Sequence, residues 1–69
     1  MKRYKISNLV GRRMKRVRKV KGLTQEEIAD RLGIHWTTYG RIERGESNIS
    51  LRGLYKIAKV LKVKLRDFL

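Results

Sequence analysis

Five short helices and no β-strand is the fold class this sequence predicts, and three observations carry it. Apolar residues recur at spacings of three and four, no segment sustains alternation with period two, and capping residues or glycines fall at the edges of the apolar stripes. Together they describe one compact all-α domain over residues 1–69, with residues 1–7 forming a basic N-terminal arm.

Val10, Met14 and Val17 share a face at i, i+4 and i+7 and predict a first helix from about Asn8 to Lys21. Gly22 ends it, and Arg18, Lys19 and Lys21 suit its negative end. Thr24-Gln25-Glu26-Glu27 is a capping box, so a second helix starts there and runs to about Leu32, stopping at Gly33. A third, short and polar-fronted helix lies within His35 to Arg44, closed by Gly45, with Tyr39 and Ile42 turned inward. Ser50 is a good N-cap for a fourth helix whose stripe is Leu51, Leu54, Ile57, Ala58 and Leu61, and Leu65, Phe68 and Leu69 suggest a short fifth.

The chain holds 19 Lys and Arg against 6 Asp and Glu, a formal charge of +13. Such a field calls for an anionic partner, although a thermophile's surface composition would account for part of it. The excess is uneven. Residues 1–22 carry ten basic and no acidic side chains, residues 23–49 three basic and five acidic, and residues 50–69 six basic and one acidic. Without cysteine there is neither a disulfide framework nor a thiolate metal site, and one histidine does not make a zinc site, so no cofactor or metal is expected. A domain this small lacks room for a deep enclosed pocket, and no paired-carboxylate or phosphate-loop pattern appears; most enzyme classes are thereby excluded. No apolar run approaches the roughly 18 residues of a membrane span and no signal-peptide stretch is present, so a cytoplasmic protein without a membrane partner is expected.

One constellation is specific. Counted from Gln25, a small residue follows at +4 (Ala29), glycine at +8 (Gly33) and bulky apolar residues at +14 (Tyr39) and +17 (Ile42). Two short helices crossing at a tight turn need a small side chain at the crossing, a glycine where the chain leaves the first helix left-handed, and two apolar anchors under the second. That is the helix-turn-helix pattern, here helices 2 and 3.

With Gly22-Leu23-Thr24-Gln25-Glu26-Glu27-Ile28-Ala29, Ile42-Glu43-Arg44-Gly45 and Leu54-Tyr55-Lys56-Ile57-Ala58-Lys59-Val60-Leu61 in view, the chain resembles the phage repressor and Cro (Xre-type) helix-turn-helix family from roughly Leu9 to Leu69. The resemblance implies a five-helix repressor-like domain that binds double-stranded DNA as a homodimer, with helix 3 in the major groove. Its base-reading positions fall on Trp36, Thr37, Gly40 and Arg41. Arg41 suits bidentate pairing with guanine, its alternative being a solvated helix charge. Thr37 suits a base edge or a thymine methyl. Trp36 departs from the polar residue usual there: it would pack against thymine methyls or sugars, anchor a protein contact, or fold back over apolar side chains. Backbone-contacting positions fall on Gln25, Thr38 and Arg44, and on Ser47 and Asn48 in the following loop, where Glu46 and Ile49 also depart from the family's usual basic residue and proline. Arg18 and Glu43 match a structural ion pair between helices 1 and 3. Lys62 and Lys64 replace a helix-ending glycine and a capping serine, and Tyr55, Leu65, Phe68 and Leu69 make a candidate dimer surface. Lys2, Arg3 and Lys5 in the arm would follow the DNA backbone, enter a minor groove or stay solvated.

The function these residues predict is a sequence-specific DNA-binding transcriptional regulator on a palindromic operator. If the natural protein is equally short, with no effector domain after the fold, regulation is expected to come through concentration, competition at overlapping operators or a protein partner such as a toxin or another regulator. Two rivals stand beside it: an antitoxin of a toxin–antitoxin pair, and a non-specific RNA- or ribosome-associated basic protein. The latter would lean on aromatic stacking platforms, which one Trp, three Tyr and one Phe spread over the chain hardly supply.

Overall fold

The computed structural model describes residues 5–69. Its elements are α1 (Lys5–Val20), α2 (Gln25–Leu32), α3 (Trp36–Glu43), α4 (Leu51–Leu61) and a single 3-10 turn over Leu65–Phe68. The expected fifth helix is therefore that one turn, and among the described residues the α-helices number four. α1 starts at Lys5 rather than Asn8, so residues 5–7 of the expected arm are helical, while Lys2 and Arg3 lie outside the described residues.

Each junction follows from a local signal. Gly22 takes φ +74° after α1, and the N–H of Leu23 returns to the Arg18 carbonyl at 3.1 Å. The Thr24 hydroxyl accepts from the Glu27 N–H at 3.1 Å, and the Glu27 carboxylate accepts from the Thr24 N–H at 2.8 Å, completing the capping box. That backbone bond holds the Glu27 carboxyl below its ordinary value. Gly33 leaves α2 left-handed, at φ +73°. Ser50 caps α4 by accepting from the Gly53 N–H at 3.0 Å. At the other end of α4, Lys62 does what a glycine usually does, at φ 60° and ψ 43°. The Lys64 side chain makes no cap hydrogen bond to the 3-10 turn, but its backbone N–H donates to Asp67 Oδ2 at 3.0 Å.

The core is Val10 and Met14 of α1, Ile28 and Ala29 of α2, Tyr39 and Ile42 of α3, Leu54, Ile57, Ala58 and Leu61 of α4, and Phe68. Leu51, expected on the α4 stripe, is exposed because it begins the helix beyond the core's edge. Phe68 is fully buried where the 3-10 turn folds back toward α1, a return also tied by Arg13 of α1, which donates to the Leu69 carbonyl. No helix among the described residues is long and apolar enough to cross a membrane.

α1 crosses the C-terminal end of α3 at backbone distance. A Cβ on Gly11 would lie 2.4 Å from the Glu43 carbonyl oxygen, and one on Gly45 would lie 2.7 Å from Asn8 Cα. Gly45 also sits at φ +74°, where the chain turns out of α3. Two glycines thus set how close these helices come.

Candidate nucleic-acid interface

α3 is held from behind by a buried charge network. Arg18 Nε donates to Glu43 Oε2 at 2.6 Å and Arg18 Nη2 to Glu43 Oε1 at 3.1 Å, while Arg18 Nη1 reaches the Leu23 carbonyl at 2.8 Å. Gln25, first residue of α2, donates through Nε2 to Glu43 Oε1 at 2.9 Å. Three helices therefore meet on one carboxylate. Burial raises the Glu43 pKa, but the hydrogen bonds from Arg18 and Gln25 outweigh it and hold the carboxyl below its ordinary value. The bond to Glu43 raises the Arg18 guanidinium correspondingly, against a smaller effect of burial. Tyr39 lies fully buried beside the pair; burial drives its hydroxyl far above the ordinary phenol value, and that hydroxyl completes no well-formed hydrogen bond.

The front of α3 is of a different character. His35 is its N-cap: Nδ1 accepts from the Thr37 N–H at 3.2 Å and lies 2.8 Å from Thr37 Oγ1. The His35 ring stacks on Trp36 with centroids 6.0 Å apart and an interplanar angle of 26°. Trp36 does not fold back over the core; it is 49 % exposed. Thr37, Thr38 and Arg41 are exposed as well. Glu43 is the one acidic residue of α3, and it faces the core, so the outward face of α3 carries no negative side chain.

The remaining expected site residues separate into two groups. Gln25 is half-buried and committed to Glu43, Arg44 is exposed but paired with Glu46 at 3.1 Å, Ser47 is half-buried and Asn48 exposed. Gly40 does not stand on the open face. It is buried, because the side chains of Gln25 and Arg44 lie over it: a Cβ there would be 3.1 Å from Arg44 Nη1 and 3.4 Å from Gln25 Oε1. The candidate dimer surface is likewise thinner than expected. Tyr55 and Leu69 are exposed, Leu65 is half-buried, and Phe68 is withdrawn into the core. Lys59 Nζ sits 5.8 Å from the Tyr55 ring centroid.

Sequence reasoning passed over His35 as a positioning residue. Its signal was its place immediately before the polar-fronted helix, where a side-chain acceptor is wanted by the first-turn N–H groups.

The helix-turn-helix family (HTH_3) matches residues 14–68. An uncharacterized HTH-type transcriptional regulator of Archaeoglobus fulgidus is 40% identical over 55 residues, covering 80% of this chain and 79% of that one. The control protein C.BamHI of Bacillus amyloliquefaciens is 37% identical over 62 residues, covering 88% of this chain and 76% of that one. Among solved structures, the restriction-modification controller protein C.AhdI from Aeromonas hydrophila superposes with a TM-score of 0.86 at 33% identity, covering 91% of this chain and 96% of that one. A left-handed glycine between capped α2 and α3, a small residue at their crossing and a family match reaching from α1 to the 3-10 turn agree: the chain belongs to the helix-turn-helix family of the phage repressor, Xre type.

Proposed function

We propose that this chain is a DNA-binding transcriptional regulator that reads double-stranded DNA with α3 in the major groove. The observation that carries this reading is the outward face of α3. Trp36, Thr37 and Arg41 project from a helix locked behind by Arg18, Glu43 and Gln25, with its one carboxylate turned inward. Arg41 supplies the bidentate donor that suits guanine, and Trp36 with the Thr37 methyl supplies an apolar surface that suits thymine methyls. Gln25, Thr38, Arg44, Ser47 and Asn48 supply the backbone contacts that set register. Operator binding as a homodimer fits the exposed Tyr55 and Leu69.

A narrower reading has its own support. C.BamHI and C.AhdI are named as control proteins, and C.AhdI is matched over nearly its whole length, which favours a controller of a restriction–modification system over an antitoxin.

Selection from a random duplex pool tests the main reading. Enrichment of a palindrome with half-sites about one helical turn apart is the expected result. If enriched and random duplexes lose affinity in parallel with salt and never differ by more than about tenfold, sequence-specific regulation is wrong and a non-specific basic protein is right.

A further inference from the structure

We propose that α1 joins the DNA contact through a phosphate-binding cleft in which Arg12 and Lys15 stand across from Gln25 and Arg44. The proposal rests on the DNA-binding reading of α3 and extends it to a helix outside the helix-turn-helix.

The cleft has a volume of about 310 Å³ and is lined by Asn8, Arg12, Lys15, Gln25, Glu43 and Arg44. Three elements meet there because α1 runs against the backbone of α3: Gly11 lies on the Glu43 carbonyl and Asn8 on Gly45. Larger residues at either glycine would lift α1 away and open the cleft. Its single acidic group is already satisfied, since both Glu43 oxygens accept from Arg18 or Gln25. The guanidinium of Arg18 offsets that charge from within the core. Three cations, Arg12, Lys15 and Arg44, thus face a space whose carboxylate is neutralised.

Gly40 finds its role here. With no side chain at that position, the Arg44 guanidinium extends over α3 toward Gln25, with Nη1 on the Gly40 side. Its other edge, Nε and Nη2, is held by Glu46 at 3.1 and 3.3 Å. That pair is half-exposed, and a phosphodiester entering the cleft would compete with Glu46 for the same guanidinium. A phosphate so placed adjoins the Gln25 end of α2, beside the helix whose front would read bases. Arg16, also on α1, does not line the cleft.

The test is a salt titration of Arg12→Gln, Lys15→Gln and Arg16→Gln proteins against the duplex enriched from the random pool and against a random-sequence duplex. All three positions are exposed, and circular dichroism verifies folding. Each cleft variant is expected to lower the magnitude of the slope of log K against log salt by about 0.9, equally on both duplexes, so that their affinity ratio is unchanged. Arg16→Gln is expected to move the slope by less than half as much. Slopes for Arg12→Gln and Lys15→Gln that match Arg16→Gln would overturn the cleft while leaving α3 readout intact. If the wild type distinguishes no duplex from random, the reading beneath the proposal falls with it.

Discussion

The two sides of α3 are built on opposite principles. Behind it, α1 comes so close that a methyl group does not fit at Gly11, and both carboxylate oxygens of Glu43 are bonded. In front, Trp36 stands half out of the fold, Thr37 and Arg41 are exposed, and His35 stacks on Trp36 and caps the first turn. The contrast teaches where each quantity resides. On the proposed reading, stability depends on the rear seam, and discrimination among DNA sequences depends on the front.

The sharpest way to break the contrast is to remove Arg18. Arg18→Ala leaves Glu43 buried without its cation, which costs about 3–5 kcal/mol, most of what a core this size supplies. Chemical denaturation of that variant should show a protein at or near the unfolding threshold, and an unchanged midpoint would refute the structural role of the pair. Arg18→Met with Glu43→Leu should recover most of the loss, because no charge is then stranded.

Next in size is Gly11→Ala. The new Cβ meets a backbone carbonyl that cannot swing aside, so about 1–3 kcal/mol is expected to be lost, read as a lower denaturation midpoint. A neutral result would show that α1 and α3 slide freely on each other.

Acid should weaken the same seam. The carboxyl of Glu43 is lower in the folded chain than its ordinary value of 4.5, so its contribution is complete above that value and is lost as pH falls through the lower folded one. Denaturation midpoints measured downward from about pH 6 should hold until about pH 4.5 and then drop, and Glu43→Gln should flatten that drop.

The helix boundaries were largely legible in the sequence, the rear seam and the front only partly. Thr24, Glu27, Gly33 and Ser50 signal locally, through caps and a left-handed turn whose chemistry lies within a few residues, and each stands where it was expected. The Arg18–Glu43 pair was legible through the resemblance. Ser7 is a residue type suited to an N-cap, but no breaker lies among Lys5, Ile6 and Ser7, and α1 runs through all three. Gly40 was misplaced because glycine has no side chain to declare its face; Gln25, far off in sequence, and Arg44 decide its burial. Phe68 reads as a surface aromatic until the 3-10 turn folds it inward. The cleft of Arg12, Lys15 and Arg44 exists only once α1 has crossed α3, a juxtaposition no local pattern encodes.

On the front, the stability effects should be small and the binding effects large. Trp36→Ala should change unfolding free energy by no more than about 0.5 kcal/mol, since the ring is exposed and rests chiefly on His35, yet weaken binding to the enriched duplex. A lowered melting temperature with unaltered affinity would assign Trp36 to the fold instead.

The most direct test of α3 as the reading element is the affinity ratio between the enriched duplex and a random duplex, measured for the wild type and for Arg41→Ala at one salt concentration. Loss of a bidentate contact to guanine predicts a ratio reduced by about 5- to 150-fold, corresponding to about 1–3 kcal/mol, with the melting temperature unchanged. Equal losses on both duplexes, leaving the ratio as it was, would show that Arg41 contributes only charge and that α3 does not read the sequence.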